Sequence, residues 1–269
     1  MRPRTFARLC PAAAALLLAA SARAQAPVFE PGPCHSDAPE GARCGVVRVP
    51  ENREQPGGRM LALNVVVIPA RSATPVRQAL TGFGGGPGQA ATQMGWLADR
   101  FAELRDDRDV LLVDQRGTGR SAPLQCALRD EADPQTYLGD FLPPDRVARC
   151  LEELGRNADL TRYGYVEFAH DMEAVRTALG YGPLDVWGGS YGTRAALVYM
   201  RTYPRSVRSA LLEGVVPPEF VQPGGYAQAM QAALEGLARD CRADAACNGA
   251  FPNFMEETRA VAERLERTP

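Results

Sequence analysis

The sequence predicts an α/β fold, a mostly parallel sheet opened by an antiparallel hairpin, on three observations. Short runs rich in branched apolar residues alternate with helical segments between residues 79 and 212, a pattern that builds a parallel sheet covered by helices. Two longer alternating runs joined by a turn at Gly57-Gly58 precede them. Finally, Asp185 to Arg194 carries an apolar run through Gly-x-Ser-x-Gly into a helix, the signature of a sharp strand-to-helix turn.

Residues 27–39, rich in Pro and Gly, read as irregular, and residues 45–50 and 61–68 as the strands of the hairpin. A strand over 79–83, a glycine-rich turn over 84–88, a helical stretch to about Leu104 and a buried strand over 109–113 form a crossover. Residues 126–162, broken by Pro134, Pro143 and Pro144, read as an excursion with one helix over 145–154. Phe168, Met172, Val175 and Leu179 then make one apolar stripe of a helix that stops at Gly180. His170, about 200° round from Phe168, is expected to face solvent. The Gly-x-Ser-x-Gly strand follows, then a helix over 190–203 ended by Pro204, and a strand over 209–212. Beyond Pro217-Pro218 the pattern is helical, over 226–239 and 253–267.

Hydrophobic residues make up 45% of the 269-residue chain, enough to bury one large core. The formal charge is only −2, and all 30 basic residues are arginines in no evident cluster. No field is present that would gather nucleic acid or an anionic membrane; a peptide or small ester substrate fits better. Arg2, Arg4 and Arg8 precede an apolar run over 9–20, followed by small residues at Ala22-Arg23-Ala24 or Ala24-Gln25-Ala26. Residues 1–26 therefore read as an export signal, and the protein as periplasmic or extracellular. The run is shorter than the roughly 20 residues of a permanent membrane anchor. Removing Cys10 with the signal leaves Cys34, Cys44, Cys126, Cys150, Cys241 and Cys247, an even set expected to form disulfides in an oxidising compartment. Spacing does not fix their connectivity. If Cys241 pairs with Cys247, the helix between them must break, because six helical residues rise about 9 Å and a disulfide spans about 7 Å at most.

Ser190 is the candidate nucleophile. A serine at that place could be an ordinary helix N-cap, but strand, turn and helix contexts match together. The Tyr191 backbone N–H, next after the serine, is one candidate oxyanion donor; Gly85 or Gly86 of Gly84-Gly85-Gly86-Pro87-Gly88 supplies the other. Gly86 to Ala91 also fits a dinucleotide-binding pattern, with Asp114 as a ribose acid, but the proline in the turn and the export signal oppose it. No cofactor and no metal site are called for. Asp114 to Ser121 reads as a tight turn held by pairing between Asp114 and Arg116. Glu213 and Glu219 could receive a substrate ammonium, although solvated carboxylates are the commoner outcome. In turns of this kind the histidine follows the serine along the chain, yet the two histidines, His35 and His170, both precede Ser190.

Gly85-Gly86-Pro87-Gly88, Asp114 to Ser121, Gly188 to Thr193 and Leu212 to Pro218, in this order, resemble exported α/β-hydrolases of the prolyl aminopeptidase and tripeptidyl aminopeptidase group. The resemblance implies an α/β-hydrolase core over 27–218 and the beginning of a helical cap over 219–269. It also implies a serine that attacks a peptide carbonyl and a cap that reads a free N-terminus. Gly84 stands where many relatives carry histidine. Such enzymes continue well past this length, so the chain is expected to be an N-terminal portion lacking the acid and base, and inactive alone. An esterase on the same fold remains open, as does a non-catalytic truncated product or binding module.

Overall fold

The computed structural model describes residues 26–268 apart from 56, 130, 131, 138, 141, 222 and 223. The signal expected over 1–26, with Cys10, thus lies almost wholly outside the described residues. The described chain divides into two compact units, the first ending at Glu213.

In the first unit the strands are β1 (Phe29–Gly32), β2 (Arg43–Pro50), β3 (Met60–Ile68), β4 (Ala79–Phe83), β5 (Asp109–Val113), β6 (Leu184–Gly189) and β7 (Val207–Glu213). They form one sheet in the order β1-β2-β3-β5-β4-β6-β7. β1, β2, β3 and β5 are joined antiparallel, with Val47 opposite Leu63 and Val65 opposite Val113. From β5 through β4 and β6 to β7 all pairings are parallel. β4 and β5 are buried at every residue, as strands covered on both faces must be. On one face Val47, Leu63, Val65 and Phe83 pack against Phe168, Met172, Val175, Ala196 and Tyr199. On the other, Val66, Ile68, Leu80 and Trp187 pack against Met94 and Leu97.

The helices of this unit are α1 (Leu97–Arg100), α2 (Pro144–Gly155), α3 (Tyr165–Ala178) and α4 (Tyr191–Thr202). α3 supplies the predicted stripe, with Phe168, Met172 and Val175 buried. Two local readings are corrected. β1 lies within the segment read as irregular; Pro31 is tolerated there because a strand at the sheet's edge has unpaired N–H positions. The helical stretch expected up to Leu104 is one α-helical turn between 3₁₀ turns at Ala91–Gln93 and Leu104–Asp106. There the Thr92 amide and hydroxyl donate to Asp114 at 2.9 and 2.8 Å, bonds that compete with helix continuation.

The second unit comprises α5 (Tyr226–Ala243), α6 (Ala245–Ala250) and α7 (Phe254–Arg267). Cysteines pair as sequence neighbours: Cys34–Cys44, Cys126–Cys150 and Cys241–Cys247, with Cα separations of 5.0, 5.7 and 5.1 Å. The last bridge breaks the helix as geometry requires. α5 ends, Asp244 turns extended, and its carboxylate accepts from the Cys247 amide at 2.8 Å to start α6. Alkylation without reductant should leave all six of these cysteines unlabelled, and labelling of all six would overturn the pairing. Among the described residues no helix is long and apolar enough to cross a membrane.

Candidate active site

The site is built around a backbone that only packing can hold. At the junction of β6 and α4, Ser190 has φ 50° and ψ −117°, a region that costs a non-glycine residue about 1–3 kcal/mol. Its N–H donates to the Glu213 carbonyl at the end of β7, 2.8 Å away, and its carbonyl accepts from the Thr193 amide and hydroxyl at 3.0 and 2.6 Å. The flanking glycines are sterically required. A Cβ on Gly192 would stand 1.9 Å from the Phe83 carbonyl oxygen, and one on Gly188 would stand 3.0 Å from the Gly192 carbonyl oxygen. The start of α4 is thus pressed onto the end of β4, which delivers the glycine-rich turn to Ser190.

Gly85 and Gly86 are separated by this geometry. A Cβ on Gly85 would lie 3.6 Å from the Gly189 carbonyl oxygen and 3.8 Å from Ser190 Cβ, whereas the nearest atoms to one on Gly86 are Gly88 N and Gln89 N of its own turn. Gly85 lies against the serine. Its N–H donates to Gln89 Oε1 at 2.9 Å. Tyr191 opens α4, so its N–H belongs to the first turn, whose amides have no acceptor within the helix. Its ring leans on Tyr165, with centroids 5.2 Å apart, and its hydroxyl accepts from Gln115 Nε2 at 3.4 Å. Burial pushes that hydroxyl up to about 12, so it stays protonated at neutral pH. A recess of about 10 Å³, room for one water at most, is lined here by Gly84, Gln89, Gln115, Phe168 and Tyr191.

The acidic candidates part company. The Glu213 carboxylate is paired with Arg100, whose guanidinium sits 5.9 Å from the Trp96 ring centroid; it does not stand free for a ligand. Nothing in the spacing signalled Arg100, because α1 and β7 meet only in the folded sheet. Glu219 belongs to the second unit and is exposed.

The turn after β5 is corrected. Asp114 and Arg116 do not pair with each other. Asp114, fully buried, accepts from Thr92, Asn64 Nδ2 and the Arg120 amide, so both oxygens are used and none is offered to a ribose. Arg116, 1% exposed, grips Asp171 of α3 in a two-pronged pair at 2.6 and 2.7 Å. It also donates to the carbonyls of Glu51 and Arg162 at 2.9 and 2.7 Å. Asp171 beside the apolar Met172 was the available sequence signal.

Neither histidine reaches Ser190. His170 is half-buried rather than solvent-facing, because the end of α4 packs against that side of α3: its Nδ1 shares a 2.6 Å hydrogen bond with the Tyr203 hydroxyl. Tyr203 caps the far end of α4, and the 12 residues between it and Ser190 rise about 18 Å. Burial, with Arg53 nearby, holds the His170 pKa below its ordinary value. His35 lines a separate small recess with Asp37, Asn64, Thr92 and Arg120. Among the described residues, no group of three or more His, Cys, Asp or Glu is arranged to hold a metal ion.

Residues 80–250 match the alpha/beta hydrolase fold family. The chain is 30% identical to the serine protease Hip1 of Mycobacterium tuberculosis, over 80% of this chain and 45% of that one. It is 30% identical to the tripeptidyl aminopeptidase of Streptomyces lividans, over 67% of this chain and 36% of that one. With carboxylesterase B of Mycobacterium tuberculosis it shares 32% identity, over 77% of this chain and 43% of that one. The chain spans less than half the length of these curated relatives.

Proposed function

The chain belongs to the α/β-hydrolase family, and from that premise we propose that it is part of an exported serine hydrolase that cleaves peptides from a free N-terminus. The observation that carries the proposal is the strained Ser190, held at the start of α4 with Gly85 against it. In this reading Ser190 Oγ attacks the substrate carbonyl carbon as its proton passes to a general base. The carbonyl oxygen, now anionic, accepts from the N–H groups of Tyr191 and Gly85, with the α4 N-terminus adding its partial positive charge. Collapse releases the amine, which takes a proton from the general base, and water then hydrolyses the acyl-enzyme. The base and its acid partner come from residues other than the two histidines, since His170 is held by Tyr203 and His35 lies in a separate recess. In this reading residues 219–269 begin a helical cap. Glu213 or Glu219 would receive the substrate ammonium, with Arg100 yielding in the case of Glu213. Three disulfides are compatible with export.

The test compares an aminoacyl amide with its N-acetylated counterpart in the protein extended with its downstream coding sequence. N-acetylation should lower kcat/KM at least about tenfold, because loss of one charged hydrogen bond is worth roughly 1.5–3 kcal/mol. The similarity to carboxylesterase B favours a second reading, hydrolysis of simple esters. Equal rates on the two amides, or much faster cleavage of fatty esters, would select it.

A further inference from the structure

The turn that delivers Gly85 also delivers a competitor for its amide. Gly86 and Gly88 adopt φ of +106° and +108°, conformations that only glycine takes readily. Together they fold the chain back so that Gln89 returns over the turn. Its backbone oxygen lies 3.0 Å from where a Gly84 Cβ would stand, and its side-chain oxygen accepts the Gly85 N–H at 2.9 Å. The same side chain lines the narrow recess next to Tyr191 and Gln115. A carboxamide oxygen is the same kind of acceptor as the carbonyl of a peptide.

We propose that Gln89 gates the Ser190 site: in the substrate-free protein its carboxamide oxygen occupies the Gly85 N–H that the developing oxyanion needs, and it must swing away before acylation. The inference rests on Ser190 being the nucleophile. It exchanges one acceptor for another at a single donor. Against a neutral substrate carbonyl the exchange is near balance, because the two acceptors are chemically alike. Against an oxyanion it favours the substrate, because a charge-assisted bond is about twice as strong as a neutral one. Gln89 therefore taxes ground-state binding and yields to the transition state. If nine molecules in ten are closed, the tax on kcat/KM is about tenfold.

Two measurements test the gate. In the ¹⁵N-glycine-labelled chain, the Gly85 amide is assigned by its loss in Gly85→Ala, where the added Cβ has room. That amide should exchange slowly with solvent and speed up about tenfold or more in Gln89→Ala. In the extended, hydrolytic protein, Gln89→Ala should raise kcat/KM about five- to tenfold. Gln89→Glu should lower it at least about tenfold near pH 8, because its carboxylate binds the same donor more tightly and repels the oxyanion. An unchanged Gly85 exchange rate, or a kcat/KM that falls in Gln89→Ala, overturns the gate. Hydrolysis that persists in Ser190→Ala refutes the underlying nucleophile, whereas a Ser190-dependent rate that Gln89→Ala fails to raise refutes the gate alone.

Discussion

A fluorophosphonate probe should leave Ser190 unlabelled in the 269-residue chain and label it in a version extended with the downstream coding sequence. A serine hydroxyl is a weak nucleophile near neutral pH and needs a base within hydrogen-bond reach. His170 is committed to Tyr203 at the opposite end of α4, and His35 lies in a recess that shares no lining residue with the one beside Ser190. The Tyr191 hydroxyl, pushed up to about 12 by burial, holds its proton throughout the neutral range. Glu213 is tied to Arg100. Losing a triad costs about 10⁶-fold in turnover, so the two versions should differ by a margin that slow background labelling cannot bridge. Rapid, Ser190-dependent labelling of the short chain would reveal a base among its own residues and defeat this assignment.

The strands that position Ser190 were legible because both periodicity and turn chemistry are local. Residues 79–83, 109–113 and 185–189 are apolar runs short enough to be strands, and each ends in a glycine or a glycine-rich turn. The strained serine was legible for the same reason, since its flanking glycines are adjacent in sequence to the turn they permit. What the residues alone left open is tertiary. Which of Gly85 and Gly86 lies against Ser190 depends on the contact of β4 with α4, and the pairing of Arg100 with Glu213 joins residues 113 apart. The misassigned pairing of Asp114 with Arg116 shows the same limit. Two opposite charges two residues apart invite a local reading, but each side chain is directed to a different face of the turn and finds partners elsewhere. His170 failed as a helical-wheel argument because α3 has a second neighbour, α4, that the stripe through Phe168 did not reveal.

Asp171→Ala should destabilise the first unit by about 3–5 kcal/mol, the cost of leaving a buried charge without its partner. The Asp171 side chain is 1% exposed and that of Arg116 0%, so the guanidinium would lose its counter-charge in a place shielded from bulk solvent. Arg53, whose side chain is 28% exposed and 2.5 Å from the same carboxylate, can turn to solvent and should add little. The Arg116 donations to the Glu51 and Arg162 carbonyls would remain, but two neutral acceptors do not neutralise a guanidinium. By contrast, breaking the exposed helical pair of Arg149 with Asp145, whose side chains are 71% and 72% exposed, should cost under about 1 kcal/mol. Urea unfolding of both variants beside the parent chain measures the contrast, provided the m-value is unchanged. Replacing Arg116 and Asp171 together by Met and Leu should recover much of the loss, since the destabilisation lies in the stranded charge and not in the absence of the pair. The clamp also fixes the turn that carries Gln115, and Gln115 holds the Tyr191 hydroxyl. The double replacement, restored in stability, should therefore still loosen Tyr191 against Tyr165. A loss in Asp171→Ala no larger than in the surface pair would show that Arg116 finds another counter-charge, and that the turn after β5 does not depend on α3 to hold its shape.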